Sequence, residues 1–304
     1  MKTFRCSSLP RVLRCPASQV PPKIVIESDN EAGRIGQAVH MALATYVEGT
    51  EPYLPTIAFV HRVEYDQIAP LFYVGKRIFN ENIRDAIEII GVEQPLAWEE
   101  GGITGTADIV GKALDEEAPT LVIVDWKTGD MKADHGDQVK GYGKCVLHEY
   151  PAVERVKTVV VWLRDQYIDV DYVTPEDIAD WERRLAAARK HPARYVPGEA
   201  CTWCPREHEC KARKALVQTA ATDFIGGAED ALVPAKLASL YPQAKLLKKA
   251  LDRYYDVLKS TIKDNGPIPL NDGRQLDLID CNRQEIGLTA ALPIIVEELG
   301  SLVA

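Results

Sequence analysis

The segment that most constrains this chain is Thr120-Leu121-Val122-Ile123-Val124-Asp125-Trp126-Lys127-Thr128-Gly129. Four consecutive aliphatic, mostly β-branched residues read as a buried strand, and Gly129 terminates it. The strand therefore delivers a carboxylate and an ammonium, Asp125 and Lys127, to its C-terminal end. Just upstream, Ile103 to Val110 reads as a paired strand carrying Asp108, with Gly102 and Gly105 allowing tight turns or close backbone approach. Strand-like segments at 94–99, 103–110, 121–126, 156–163 and 167–172 alternate with helical stretches at 31–48, about 66–91, 137–148 and 175–191. That order predicts an α/β fold, a central mixed sheet flanked by helices.

Two acids and a lysine converging at strand ends can bind a hard divalent cation and activate a water, which is what cutting a phosphodiester requires. The acid–any–Lys tripeptide alone says little, since about one match is expected by chance at average composition. It also fits Asp130–Lys132, in a polar turn, and Glu209–Lys211, among cysteines. Context favours Asp125. Gln138 and Tyr142 follow, four apart and so on one helix face. Upstream, Ile35, Val39, Leu43 and Tyr46 recur at helical spacing and predict a core-packed helix, with His40 beside that stripe.

These residues resemble the PD-(D/E)XK nucleases, in particular the RecB-like branch. That branch shows G-x-x-x-H, then G-x-x-D, then a strand ending D-x-K-T-G, then Q-x-x-x-Y. The matching positions here are Gly36–His40, Gly105–Asp108, Asp125–Gly129 and Gln138–Tyr142. The resemblance implies a restriction-endonuclease-like core, with Mg²⁺ or Mn²⁺ held by His40, Asp108, Asp125 and the Trp126 carbonyl. Lys127 would hold or deprotonate the attacking water, and Gln138 would orient Lys127 or the phosphate. Tyr142 would contact the scissile phosphate or a neighbouring sugar. Glu93 stands where the family often has a glutamate, without an assigned role. The implied activity is metal-dependent DNA hydrolysis, exonucleolytic at free ends and on single strands, in recombination, repair, phage DNA metabolism or CRISPR adaptation. The competing reading is a nuclease-fold DNA-binding subunit of a helicase–nuclease assembly. Neither Asp108, Asp125 nor Lys127 is lost, as that reading would require. No Walker-type phosphate loop occurs, so a helicase or recombination partner would be a separate chain.

Cysteines supply the second pattern. Cys201, Cys204 and Cys210 form C-x2-C-x5-C, and Cys15 lies far upstream. Three close thiolates and one distant one suit a tetrathiolate site, and both zinc and a [4Fe–4S] cluster accept four thiolates. The iron–sulfur members of the RecB-like branch, AddB nuclease domains and the CRISPR-adaptation exonucleases among them, carry this arrangement. The resemblance therefore implies a [4Fe–4S] cluster on Cys15, Cys201, Cys204 and Cys210. Cys6 competes with Cys15 for the first position, while Cys145 and Cys281 read as small buried hydrophobes.

The net charge of −9 argues against indiscriminate DNA binding. Charge is uneven, however: Trp181 to Lys214 carries nine Lys/Arg against four acids. A basic face there could follow a phosphate backbone, or simply solvate helices. Aliphatic runs are too short to span a membrane and the first residues lack a secretory segment, so a cytoplasmic protein is expected. The nuclease domain is expected over 1–214. A helical extension is expected over 215–304: a long helix at 234–263 with Leu237, Leu240, Leu246, Leu247, Leu251, Tyr254 and Leu258 as its apolar side, a short hairpin at Asp272-Gly273 and a short helix near 288–302. Its plain reading is a helical appendage packing on the core, with a lid, an oligomerisation arm or a DNA guide as alternatives.

Overall fold

The computed structural model describes residues 2–23, 31–129, 135–198, 201, 204–227 and 234–278. It comprises two compact units, Met1–Ala250 and Leu251–Ala304. In the first, a six-stranded sheet is built from β1 (Phe4–Arg5), β2 (Ile87–Trp98), β3 (Ile103–Ala113), β4 (Thr120–Lys127), β5 (Arg155–Trp162) and β6 (Tyr167–Val173). Its order is β1-β3-β4-β5-β6, with β2 paired to β3 along its length. β4 runs antiparallel to β3 and parallel to β5, so the sheet is mixed. The parallel step needs a crossover, supplied by a helix between β4 and β5.

Helices cover both faces. They are α1 (Leu9–Arg14), α2 (Glu31–Val47), α3 (Leu54–His61), α4 (Tyr65–Ile78), the crossover α5 (Gly136–Glu149) and α6 (Pro175–Lys190). Side chains alternate along β4 and divide the core accordingly. Val122, Val124 and Trp126 pack with α2, α3 and α4, while Leu121 and Ile123 pack with α1, α5 and α6. Burial of β4 on both faces explains its unbroken apolar run. It also leaves Asp125 and Lys127 at the strand's end as its only charged groups. Helix α6 starts with a reciprocal cap: the Asp177 amide donates to Thr174 Oγ1 at 3.3 Å, and the Thr174 amide donates to Asp177 Oδ2 at 3.0 Å.

One sequence expectation is corrected. The stretch 66–91 reads as helix, with Ile78, Ile83, Ile87 and Ile90 as its repeating apolar residues. The helix ends at Ile78, a single π-turn (Phe79–Ile83) follows, and β2 begins at Ile87. Ile87, Glu88 and Ile89 pair with the end of β3, Ile87 opposite Ala113, the register shifts at Ile90, and tertiary pairing overrides the helical spacing.

Two further helices, α7 (Lys211–Gly227) and α8 (Pro234–Asn265), complete the described helices. Of the apolar side expected on α8, Leu240 is buried, whereas Leu237, Leu251 and Tyr254 are exposed. Within the second unit, β7 (Ile268–Pro269) pairs antiparallel with β8 (Gln275–Leu276) across a turn in which Gly273 has a φ of +83°. The helix expected near 288–302 and Cys281 lie outside the described residues. Among those described, no helix is long and apolar enough to cross a membrane.

Candidate active site

The charged residues singled out in the sequence meet at the C-terminal end of β4. Asp108 projects from β3, Asp125 and Lys127 from β4, His40 from α2, and Gln138 with Tyr142 from α5. Two buried carboxylates within one site demand partners, since a lone buried charge is costly. Asp108 has two: His40 Nδ1 at 2.7 Å from Oδ1, and the Trp126 amide, which donates to Oδ2 at 2.6 Å. Asp125 takes Lys127 Nζ at 2.5 Å from Oδ2 and the Gln138 side-chain amide at 3.1 Å on Oδ1. Complete burial pushes the Asp125 carboxyl above its usual range, against the pull of Lys127. Burial alone would depress the His40 imidazole, but the Asp108 carboxylate beside it wins and raises it.

Gln138 is the hub. Its carbonyl oxygen accepts from Lys127 Nζ at 3.2 Å and lies 3.2 Å from His135 Nδ1, while its amide nitrogen donates to Asp125 and, at 3.1 Å, to the Tyr142 hydroxyl. The Tyr142 hydroxyl in turn donates to the Thr106 carbonyl at 2.9 Å. Tyr142 is buried with its donor spent on the backbone, and burial pushes its ionisation upward. It braces Gln138.

The motif glycines have physical reasons. A Cβ on Gly105 would lie 2.6 Å from the Tyr142 ring and 3.0 Å from Cys6 Sγ. One on Gly36 would lie 3.2 Å from Thr128 Oγ1, so Gly36 lets α2 close on the turn that follows Lys127.

Glu93 completes the cluster. One donor atom from each of His40, Glu93 and Asp108 lies within 4.8 Å of the others. The flanking pairs Val92–Ile109 and Gln94–Ala107 place Glu93 opposite Asp108. Its φ of 47° is left-handed, which costs a non-glycine residue about 1–2 kcal/mol. Partial desolvation at the site, then the Asp108 charge, raises its carboxyl although the residue as a whole is exposed. One imidazole with carboxylates is a donor set that suits Mg²⁺ or Mn²⁺. Asp125 Oδ2, buried and without a well-directed hydrogen bond beyond the Lys127 ion pair, is a further oxygen for the ion.

His135 and Glu93 are the residues the sequence left without roles. The signal for Glu93 was a family position without a role, and its place opposite Asp108 emerges only from the strand pairing. His135 carried only its spacing, three residues before Gln138. Its ring also packs on Trp162, centroids 5.2 Å apart. Of the other acid–Lys matches, Asp130–Lys132 lies outside the described residues. Glu209 is engaged within the cysteine turn, accepting from Arg206 Nε at 2.7 Å.

Cys15, Cys201, Cys204 and Cys210 line one cavity, together with Arg11, Arg206 and Arg213. Backbone amides of Val196 and Gly198 donate to Cys15 Sγ and Cys201 Sγ at 3.4 and 3.3 Å. Arg206 and Arg213 pair with Glu209 and Glu207. Arg11, half-buried, donates through Nη1 to the Ser18 carbonyl at 2.6 Å and also faces Cys204 and Cys15. Burial pushes the Cys201 and Cys204 thiols up, and at Cys204 the Arg11 guanidinium works against that rise toward the thiolate, the form in which cysteine binds metal. Cys6 lies elsewhere, fully buried in the core that holds Leu9, Tyr142 and Cys145. Its hydrogen bond with Cys145, then burial, pushes its thiol well up.

The basic window is mostly consumed. Arg183, Arg184, Arg206 and Arg213 pair with Asp180, Asp137, Glu209 and Glu207, and Arg189 donates to the Gly101 carbonyl.

Fold and site together define an α/β protein with a carboxylate–histidine–lysine centre at its strand ends and a separate four-cysteine cavity. The chain belongs to the family described as "Protein of unknown function (DUF2800)", whose profile matches residues 4–266. No curated protein matches it. Among solved structures it is similar to a candidate exonuclease from Eubacterium rectale, with 9% identity over 70% of this chain and 88% of the other, at a TM-score of 0.40. It is also similar to the alkaline exonuclease LHK-Exo from Laribacter hongkongensis, with 10% identity over 63% and 88%, at a TM-score of 0.29.

Proposed function

We propose that this protein is a metal-dependent deoxyribonuclease of the PD-(D/E)XK, RecB-like type that degrades DNA from free ends. The observation that carries the reading is the convergence of His40, Asp108, Asp125 and Lys127 on one strand end, with Gln138 holding both Lys127 and Asp125. His40, Glu93, Asp108, Asp125 and the Trp126 carbonyl would hold the divalent ion. When bound, the ion supplies a water of lowered pKa and positive charge against the developing phosphorane.

The remaining work falls to the chain itself. Asp125 and the Gln138 carbonyl fix the Lys127 ammonium, so that its protons face the incoming water and phosphate. Lys127 holds that water or takes its proton. His40 keeps Asp108 oriented from one side and the Trp126 amide from the other. Tyr142 fixes the Gln138 amide so that its oxygen faces Lys127.

The four cysteines are assigned to a [4Fe–4S] cluster, with zinc as the alternative occupant, in a structural role. The cavity they share and the Arg11 guanidinium turned toward them support a metal–thiolate group of net negative charge. Such a group ties the N-terminal segment to the end of the sheet domain and suits a reducing compartment.

The test compares end-labelled linear and circular DNA with and without Mg²⁺ or Mn²⁺. Linear DNA is expected to be degraded only with metal. Asp108→Ala and Lys127→Ala should each lose at least about two orders of magnitude in rate. Robust cleavage by Asp108→Ala, or full activity in excess chelator, overturns the reading. Metal-loaded protein that binds DNA without cutting it favours a DNA-binding subunit instead.

A further inference from the structure

We propose that Arg164 grips a backbone phosphate of the substrate strand beside the scissile one, an inference that rests on the nuclease reading. The parallel strands β4 and β5 end side by side, with Lys127 in register with Trp162. Ligands of α/β proteins gather outside such carboxyl ends. The turn after β5 is fastened directly to the catalytic strand. The Leu163 amide donates to the Lys127 carbonyl at 2.9 Å, and Arg164 Nε donates to the Thr128 carbonyl at 2.6 Å.

That second bond matters for what it leaves open. It uses one edge of the guanidinium and holds the side chain in place. The two terminal nitrogens have no partner among the described residues. Arg164 is exposed, so the open fork faces solvent at the mouth of the site. A guanidinium fork matches the paired oxygens of a phosphate, and a fork already oriented loses little entropy on binding.

The turn is stiffened from a second direction. Gln166 has a left-handed φ of 52°, and its side-chain carbonyl accepts from Arg77 Nη2 of α4 at 2.6 Å. Thr128, which receives Arg164, is itself packed against Gly36 of α2. Arg164 thus moves with the same elements that carry His40 and Lys127. The arginines of 183–213 described above as ion-paired are spent within the fold and do not offer this. An acidic chain with one oriented guanidinium at its catalytic mouth can hold a polyanion locally without binding it everywhere.

The test measures binding of a short mixed-sequence DNA single strand across a salt series, in Ca²⁺, a hard cation taking the same oxygen ligands. Arg164→Ala should weaken binding about tenfold at low salt, the scale of one hydrogen-bonded charged contact. It should also lower the log–log salt slope by about 0.7, one phosphate's worth on a single strand. Arg164→Lys should keep the slope and recover part of the affinity. In cleavage assays KM should rise while kcat changes less than about twofold, as expected for uniform binding. Wild-type protein that binds and cuts, with an unchanged salt slope in Arg164→Ala, overturns the assignment. Wild-type protein that neither binds nor cuts DNA fails the nuclease reading instead. Loss of circular dichroism in Arg164→Ala would show that the arginine braces the turn and would refute a ligand role.

Discussion

Gln138→Leu is the substitution that tests the site's internal logic most directly. It keeps the volume near constant and deletes four polar contacts at once. The largest loss falls on Asp125, whose buried Oδ1 forfeits a charge-assisted hydrogen bond of about 1.5–3 kcal/mol. Tyr142 loses one partner, about 0.5–1 kcal/mol, but keeps its bond to the Thr106 carbonyl. Lys127 keeps its Asp125 ion pair, and His135 sits at the edge, where water can replace the lost contact. Against these losses, burying a leucine in place of an amide returns about 1 kcal/mol. The net is a destabilisation of about 2 kcal/mol, which for a domain of this size is a fall in Tm of about 4–8 °C. Intrinsic fluorescence is a suitable assay because Trp126 and Trp162 are both buried beside the site. Activity should fall through kcat, because Lys127 is then held from one side only. A Tm within about 1 °C of wild type, with kcat unchanged, would refute the idea that Gln138 ties Asp125 and Lys127 of β4 to α5.

Glu93→Gly should raise Tm by a few degrees, since glycine relieves a left-handed strain of about 1–2 kcal/mol at a smaller entropic cost, while metal-supported cleavage falls; unchanged cleavage removes Glu93 from the ligand set. His40→Ala, with the fold intact, should weaken the metal titration or shift it toward Mn²⁺, and an unaltered titration returns His40 to a purely packing role. Anaerobically purified protein should be brown with about four irons per chain, and Cys15→Ser should lower both iron content and solubility whereas Cys6→Ser leaves iron content unchanged. Stoichiometric zinc without visible absorbance replaces the cluster by zinc, and full iron loading in Cys15→Ser rejects that ligand.

Much of the sheet was legible because β4 and β5 are buried on both sides, and their apolar runs admit few other states. The site was legible where its residues sit at fixed spacings on single elements, as Asp125 and Lys127 do on β4 and Gln138 and Tyr142 on α5. Glu93 was not legible as a donor, since what aims it is a backbone angle and a partner across the sheet. The start of β2 was misread because isoleucines at 78, 83, 87 and 90 fit a helical period about as well as a strand. Only the pairing with β3 decides between them. Arg164 had no local signal at all: its meaning comes from a carbonyl 36 residues earlier.

The N-terminal segment has a consequence for when this protein can finish folding. Its first strand pairs with residues 103 and 104. Its cysteine turn is then held by residues near the far end of the sheet domain, with Arg206 donating to the Ala17 carbonyl across 189 positions. On a ribosome, the first twenty residues emerge long before anything they bind. Closing a loop of that length costs about 4–5 kcal/mol of chain entropy, and contacts this distant slow folding. The segment's strand and first helix find partners before residue 191, so the cysteine turn is the part that should be fastened last. A nascent chain halted before Cys201 would hold its N-terminal strand in the sheet, while the turn at Cys15–Ala17 would still lack Arg206 and stay more open to protease.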